Sequence, residues 1–320
     1  MLKFSAKNEN DLYNNIRRYT WENVFSVGDT FSIDAVVNHS PIKHSKYAAL
    51  KVKDAIVDRF REIFGKRPSV DTENPAIRLH LHIHMTECTV SLDSSGSSLH
   101  LRGYRIKTVA APINEVLAAG LIMLTGWKGE KNFIDPMCGS GTFLIEAVMI
   151  AKSIPAGYYR QQYGFQRWKE YDRELWNNVR KNAKAGIKPL KIKIQGSDLS
   201  DRAIRSTRDN LRNAGLHNDV EIRKTGIEES TPSPGDGIAI INPPYGERLL
   251  SADLFGLYKT IGDSFKRIYT GYEAWILSSD MDAMKNIGLR PSRKITVFNG
   301  KLACRFARYE LYEGSKKLNI

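Results

Sequence analysis

The 320-residue sequence has few cysteines and no long apolar run. Cys88, Cys138 and Cys304 lie far apart without CxxC spacing, so neither a disulfide framework nor a zinc ribbon is expected. No stretch reaches the roughly 18 uncharged residues that span a bilayer, and the N-terminus lacks the apolar core of a secretory signal. We therefore expect reduced thiols and a cytoplasmic protein without a membrane anchor.

Two phosphate-cofactor motifs are also missing. Gly141 is followed by Thr-Phe-Leu, which breaks the GxGxxG dinucleotide fingerprint, and no Gly-Lys-Ser/Thr of a Walker loop occurs. These absences argue against a dinucleotide or nucleoside-triphosphate cofactor.

Acidic residues are scarce relative to basic ones, since 48 Lys and Arg face 35 Asp and Glu, a formal net charge of +13. A basic surface attracts phosphate backbones by Coulomb steering and counterion release. Nucleic acid is therefore the leading partner, although a generally cationic soluble protein has the same composition.

The pattern over residues 1–110 predicts an α+β module. Ala48 to Phe64 has the periodicity of an amphipathic helix, which the Gly65-Lys66-Arg67-Pro68 stretch ends. Predicted strands cover residues 31–37, 77–85, 89–92 and 99–101.

The strand over residues 77–85 carries His80, His82 and His84 on one face. Neutral imidazoles can ligate zinc, but alternate polar residues on a half-buried strand need no further explanation. We predict no metal site, and these histidines face solvent or RNA.

Residues 111–130 are predicted to link two domains, with a helix over 111–126 that carries Pro112 in its first turn. Strands and helices then alternate over residues 131–314, before a tail at 315–320. This rhythm predicts a doubly wound, mostly parallel sheet that ends in an antiparallel hairpin. Predicted strands cover residues 132–135, 192–196, 220–223, 237–241, 274–277, 293–298 and 302–309, and predicted helices cover 142–151, 201–214 and 253–269.

A long insertion over residues 153–188 is rich in aromatic and basic side chains. Such residues suit base stacking and phosphate contact, and they equally suit an apolar plug over the sheet.

The stretch from Asp135 to Thr142 joins a strand end, a carboxylate, a glycine turn and a helix start. Small molecules bind at the carboxyl ends of strands in open α/β sheets, where glycines allow close approach of the backbone. The Asp135 carboxylate could bind the ammonium group of a cofactor or an ordered water. The backbone amides of residues 139–142 could bind the carboxylate of the same cofactor. We interpret Cys138 as a small neutral filler.

Asp198 follows the next predicted strand, where an acidic residue can accept both hydroxyls of a ribose. Alternatively, Asp198 or Ser200 caps the following helix.

Asn242-Pro243-Pro244-Tyr245 directly follows an apolar strand, and its two prolines make the loop stiff. The Asn242 side-chain oxygen and the Pro243 carbonyl could hold both hydrogens of an exocyclic amine and direct its lone pair at a sulfonium methyl. Tyr245 could stack on the flipped base. An ordinary Asn-Pro turn is the alternative.

The predicted catalytic residues are Asn242, Pro243, Pro244 and Tyr245. The predicted cofactor-binding residues are Asp135, Pro136, Cys138, Gly139, Ser140, Gly141, Thr142, Asp198 and Asn242. Charge alone suggests Arg102, Arg105, Lys51 and Lys53 as RNA contacts, although each could be a solvated surface cation.

Nearly the whole chain resembles bacterial large-subunit ribosomal RNA guanine-N2 methyltransferases that carry a THUMP domain. The resemblance rests on Lys51 to Asp58, Leu99 to Arg105, Ala111 to Ile113 with Glu115, Asp135 to Thr142 and Asn242 to Leu249. It implies a partial ferredoxin-like and THUMP RNA-binding region before a Rossmann-like, seven-stranded class I methyltransferase domain. It also implies S-adenosylmethionine as the methyl donor and N2 of a guanosine in 23S rRNA as the acceptor.

Two departures from the family pattern stand out. Family members usually begin with an extra β-α-β segment, so we expect a truncated N-terminus. Lys224-Thr225-Gly226 stands where an aspartate near the adenine is usual, so the adenine contact is left unassigned.

Two other functions remain open on the residues alone. One is N6-adenine methylation of RNA or DNA, since the tetrapeptide would hold either exocyclic amine. The other is a non-catalytic RNA-binding or ribosome-assembly factor, which would have no need of Asp135, Gly139, Gly141, Asp198 and Asn242 together.

Overall fold

The computed structural model of the chain describes residues 2–108, 112–244 and 251–313. The chain divides into two compact units. Unit 1 comprises Met1–Ser98 and Arg160–Val179, and unit 2 comprises Leu99–Tyr159 and Arg180–Ile320. Residues 160–179, which the sequence predicts within the second domain, belong to unit 1.

Unit 1 contains a five-stranded sheet in the order β1-β5-β4-β2-β3. Strands β2, β3 and β4 are parallel, whereas β5 runs antiparallel to both β4 and β1. The elements are β1 (Leu2–Ser5), α1 (Glu9–Arg18), β2 (Thr30–Asn38), α2 (Ser45–Phe64), β3 (Ser69–Val70), β4 (Ile77–His84) and β5 (Glu87–Leu92).

The core of unit 1 follows from the alternation along β4. Its odd-numbered residues from Ile77 to Ile83 are buried with the apolar side of α2, while His80, His82 and His84 are exposed. The strand, and the helix that ends before Gly65, are therefore confirmed. Within the described residues, no group of three or more His, Cys, Asp or Glu side chains is arranged to hold a metal ion.

The predicted strand over 99–101 is wrong, since these residues form no strand. The outer edge of β5, where another strand would pair, is occupied by β1, which the sequence analysis missed. Leu99 and Leu101 remain 53% exposed.

Unit 2 contains a seven-stranded sheet in the order β11-β12-β10-β9-β6-β7-β8. Strands β6 to β10 all run parallel to one another. Strand β12 lies between β10 and β11 and is antiparallel to both. The elements are α3 (Glu115–Leu124), β6 (Asn132–Asp135), α4 (Thr142–Ala151), β7 (Ile194–Asp198), α6 (Asp201–Asn213), β8 (Glu221–Lys224), β9 (Gly237–Ile241), α7 (Ser251–Ile268), β10 (Tyr272–Ser278), α8 (Met281–Lys285), β11 (Arg293–Asn299) and β12 (Leu302–Glu310). The remaining helix, α5 (Arg173–Ala185), lies in the insertion.

This strand order confirms the doubly wound, Rossmann-like fold with an antiparallel hairpin. The chain proceeds from β6 outward through β7 and β8, then returns to the other side of β6 with β9. Ligands of open α/β sheets bind at such a switch point, outside the carboxyl ends of the strands. The ends of β6, β7 and β9 are therefore where a site is expected.

The connecting helix is shorter than predicted. Helix α3 begins at Glu115, because the side chain of Asn114 caps it by accepting the N–H groups of Val116 and Leu117. Pro112 therefore precedes the helix, and its predicted place in the first turn is wrong.

The insertion has more structure than its composition indicated, since α5 was not predicted. Within unit 1, the rings of Tyr163, Phe165, Tyr171 and Trp176 contact one another at centroid distances of 4.9–6.0 Å. Arg160 is 8% exposed and donates to the carbonyl oxygens of three serines, Ser95, Ser97 and Ser98. Many of these aromatic and basic residues therefore pack within unit 1.

The three cysteines are buried free thiols. None of the helices in the described ranges is long and apolar enough to cross a membrane.

Candidate active site

The carboxyl ends of three adjacent parallel strands meet at one edge of the seven-stranded sheet. Asp135 ends β6, Asp198 ends β7, and Asn242 follows β9. All three line one cavity of about 360 Å³, which falls within the usual size range of small-molecule sites. The cavity is lined by Pro112, Ile113, Asp135, Met137, Cys138, Gly139, Ser140, Thr142, Phe143, Asp198, Ser200, Ala203, Asn242 and Pro244.

The glycine loop is held against the end of β7 by backbone hydrogen bonds. The N–H of Cys138 donates to the carbonyl oxygen of Ser197 at 2.9 Å, and the N–H of Gly139 donates to Asp198 Oδ2 at 3.0 Å. Gly141 has a φ of +81°, and a Cβ at this position would lie 2.8 Å from Thr207 Cγ2. Only glycine suits both the backbone conformation and this close approach to α6.

Asp198 holds the loop through its carboxylate, and its oxygens can still accept further hydrogen bonds. Its Oδ1 accepts the N–H of Ser200 at 2.9 Å, so each carboxylate oxygen receives one backbone donor. Ser200 itself caps α6, because its hydroxyl accepts the N–H of Ala203. Each carboxylate oxygen can accept a second hydrogen bond, as binding a ribose hydroxyl would require.

Asp135 is a buried carboxylate, 2% exposed. Its Oδ1 accepts the N–H of Met137 at 3.1 Å. Burial raises the pKa of Asp135 well above its usual value, the hydrogen bond from Met137 lowers it, and the charge of Asp198 raises it further. A cationic group placed beside Asp135 would favour the ionised carboxylate.

Asn242, which directly follows β9, lines the cavity and carries a hydrogen-bond acceptor, its side-chain oxygen. Its Oδ1 is buried and has no hydrogen-bond partner among the described residues. A buried amide oxygen without a partner costs free energy, so a ligand N–H that reached it would gain a hydrogen bond. Tyr245, which was predicted to stack on the acceptor base, lies outside the described residues.

Three predicted site residues do not line the cavity. Pro136 is buried, and its carbonyl oxygen accepts the Ser197 hydroxyl at 3.4 Å. Gly141 packs on Thr207, and Pro243 is buried between Asn242 and Pro244, which both line the cavity.

Arg102 and Arg105 have internal partners in unit 2. The Arg102 side chain is 12% exposed and pairs with Glu146 at 3.4 Å. The Arg105 side chain is 14% exposed, pairs with Glu115 at 3.5 Å and donates to the Thr142 hydroxyl at 2.8 Å. Both arginines, predicted as RNA contacts by charge alone, therefore have partners within unit 2.

Lys51 and Lys53 lie on α2 in unit 1, and both are half-buried. Lys51 lies over the Tyr47 ring at 5.6 Å, and Lys53 pairs with Asp54 at 2.7 Å.

Two polar residues of α6, neither of them predicted from the sequence, position the loop. The Thr207 hydroxyl donates to the carbonyl oxygen of Gly139 at 2.9 Å. Asn210, 1% exposed, accepts the N–H groups of Ile106 and Lys107 and donates to the carbonyl oxygens of Lys107 and Ser140. Their spacing of three residues on one helix face was the available signal.

The fold and the site define a Rossmann-like methyltransferase class, and comparison with known proteins agrees. Residues 102–308 match a family described as RMKL-like, methyltransferase domain, and residues 6–93 match the THUMP domain. The chain belongs to this family of THUMP-containing, RMKL-like methyltransferases.

Individual relatives cover nearly all of the chain. It is 39% identical to a Ribosomal RNA large subunit methyltransferase K/L of Syntrophotalea carbinolica over 97% of its length, but spans only 45% of that protein. It is 38% identical to a Synechocystis sp. protein named as an RNA methyltransferase, covering 98% of this chain and 82% of the relative. Among solved structures, SMU.472 in complex with SAH superposes with a TM-score of 0.88 at 28% identity, covering 98% of this chain and 83% of that one.

Replacing Asn210 tests the role of α6. Asn210→Ala leaves two N–H groups and two carbonyl oxygens near the glycine loop without their partner, so we expect a loss of about 2–4 kcal/mol in the free energy of unfolding. Urea denaturation measures it. Arg205→Ala, at an exposed position of the same helix, is the control and should change stability little. Equal stability of the two variants would contradict the positioning role.

Proposed function

We propose that this chain transfers a methyl group from S-adenosylmethionine to an exocyclic amine of a base in large-subunit ribosomal RNA, with N2 of guanosine as the leading acceptor. One observation carries the proposal: the unpartnered Oδ1 of Asn242 lies in the same cavity as the glycine loop and Asp198. A cavity for a cofactor and a side-chain oxygen that can accept an amine N–H lie at one sheet edge. This arrangement fits a methyltransferase better than a protein that only binds RNA.

The residues of the cavity fit S-adenosylmethionine. Asp135 supplies a buried carboxylate for the amino group, and Asp198 supplies acceptors for the ribose hydroxyls. Gly139, which lines the cavity, lets the loop approach the cofactor closely, and Gly141 lets the loop pack on α6. The SAH bound to the structural neighbour supports this assignment, because SAH is what S-adenosylmethionine leaves after methyl transfer.

When bound, S-adenosylmethionine supplies a methyl group on a positively charged sulfur, which departs as a neutral thioether. Asn242 accepts one N–H of the incoming amine, and the Pro243 carbonyl is in sequence position to accept the other. This pairing orients the nitrogen lone pair at the methyl carbon. No strong base is required, because the methylated nitrogen loses its extra proton to water, so positioning carries most of the catalysis.

The names of the relatives support ribosomal RNA as the substrate, and the THUMP domain and the net charge of +13 support RNA as the partner. Lys51 and Lys53 remain proposed RNA contacts in unit 1. Large-subunit RNA as a substrate and three free thiols favour the cytoplasm as the site of action.

Nucleoside analysis tests the substrate. The chain, incubated with isotopically labelled S-adenosylmethionine and ribosomal RNA or assembly intermediates from cells lacking this protein, should place label in N2-methylguanosine. Label in N6-methyladenosine would transfer the proposal to adenine. No incorporation into any RNA, despite cofactor binding, would favour the non-catalytic binding factor.

The pH dependence of cofactor affinity tests Asp135. Because burial raises the pKa of Asp135, the ionised form that pairs with the cofactor's ammonium is lost as pH falls through that raised pKa. Affinity measured by calorimetry should therefore fall on acidification, and Asp135→Asn should weaken binding by roughly 10- to 100-fold at neutral pH and flatten this pH response.

Stability provides the control for that variant. A raised carboxyl pKa contributes stability below the ordinary pKa, and this contribution is lost as pH rises through the raised value. Asp135→Asn without cofactor should thus be at least as stable as wild type at neutral pH. An unchanged affinity with an unchanged pH profile would rule out the Asp135 contact.

A further inference from the structure

We propose that one exposed face of the β11–β12 hairpin binds unpaired nucleobases of the RNA that flank the methylated base. This inference deepens the proposed function and rests on it. The proposed binding surface, here called the hairpin face, consists of Lys294, Phe298 and Arg305. Lys301 lies beside it, in the turn between the two strands.

The strand directions bring this hairpin to the reacting edge of the sheet. Strand β12 is antiparallel to both β10 and β11, so β11 runs parallel to β10 and β9. The carboxyl end of β11 and the turn after it therefore lie at the same edge as Asp135, Asp198 and Asn242. Three strand spacings, about 14 Å, separate β11 from β9 along that edge.

The hairpin lies on the open side of Asn242. The cofactor cavity extends from β9 toward β6 and β7, whereas β10, β12 and β11 follow on the opposite side. An acceptor base held by Asn242 must have the rest of its strand outside the cofactor cavity, and the hairpin is on that side.

The register defines which side chains share the hairpin face. Arg305 pairs with Thr296, and Phe298 pairs with Ala303, so these residues lie on one side of the two strands together with Lys294. Phe298 is 65% exposed, Lys294 is exposed, and Arg305 is half-buried. The accessible ring thus shares one side of the hairpin with two cations, Arg305 on the neighbouring strand two positions away and Lys294 four residues earlier on β11.

The charge of this face selects nucleic acid as its occupant. On the same side, the described strands β10, β11 and β12 present no carboxylate, and Asp280, which follows β10, uses its side chain to cap α8. An isolated exposed phenylalanine would need no explanation. An exposed ring beside cations, near the proposed reaction site, is a combination that stacks bases and neutralises phosphates in single-strand binding proteins.

Binding of a fluorescein-labelled oligouridylate tests the inference without requiring turnover. Measured by anisotropy on the full chain with saturating SAH, Phe298→Ala should weaken binding roughly 5- to 100-fold, while Phe298→Trp should retain it. Replacing Lys294 and Arg305 together by alanine should reduce the slope of log affinity against log salt by about 1.4, or 0.7 for each phosphate contact.

Met123→Ala is the matched control, because Met123 is 68% exposed on α3 and lies off this face. It should leave oligouridylate binding unchanged, and all variants should bind S-adenosylmethionine as wild type does. Phe298→Ala should also raise KM for ribosomal RNA more than it lowers kcat.

Three results would overturn the inference. The first is wild-type oligouridylate affinity in Phe298→Ala. The second is an equal loss in Met123→Ala. The third is a change in the elution volume of Phe298→Ala on size exclusion, which would make this face a contact between copies of the chain. Failure of wild-type protein to methylate any RNA would instead defeat the proposed function, and the binding assay would still report on the hairpin face.

Discussion

The hydrogen bond from the Gly139 N–H to the Asp198 carboxylate joins the carboxyl ends of two adjacent parallel strands. The same loop makes further hydrogen bonds to its surroundings, since the Cys138 N–H donates to the carbonyl oxygen of Ser197 and the Thr207 hydroxyl donates to that of Gly139. Gly141 lies close to Thr207 on α6. Asp198 therefore links two strand ends at the cavity, and the same carboxylate is the one proposed to bind the ribose hydroxyls.

The polar groups around the cavity differ in how fully their hydrogen-bonding capacity is used. Asn210 uses its amide fully on backbone groups. Arg105 donates to the Thr142 hydroxyl and pairs with Glu115, but its buried Nε has no hydrogen-bond partner among the described residues. Asp135 is a buried carboxylate with one backbone donor, and Asn242 has a buried oxygen without a partner among the described residues. Among the residues that line the cavity, Asp135 and Asn242 thus keep spare hydrogen-bonding capacity, and these are the residues proposed to bind the cofactor and the acceptor amine.

Strong periodicity made much of the fold predictable. Helix α4 was predicted with its observed bounds, because an apolar stretch follows a glycine turn, and β4 was predicted from its strict alternation. Strand β1 was missed because four residues carry too little pattern. The packing of residues 160–179 within unit 1 is a tertiary contact that composition does not encode. The meeting of Asp135, Asp198 and Asn242 at one sheet edge could be predicted from their places after apolar strands. The hydrogen-bond partners of Arg102 and Asn210 could not, because they are distant in sequence.

The rate of methyl transfer by Asn242→Ala in single turnover tests the central claim most directly, that this carboxamide oxygen positions the acceptor amine. Loss of one such preorganised contact should slow transfer to ribosomal RNA by about 100-fold or more, with a much smaller change in cofactor affinity. Asn286→Ala, which removes an exposed carboxamide from the end of α8, should transfer at the wild-type rate. A wild-type rate in Asn242→Ala would contradict the account.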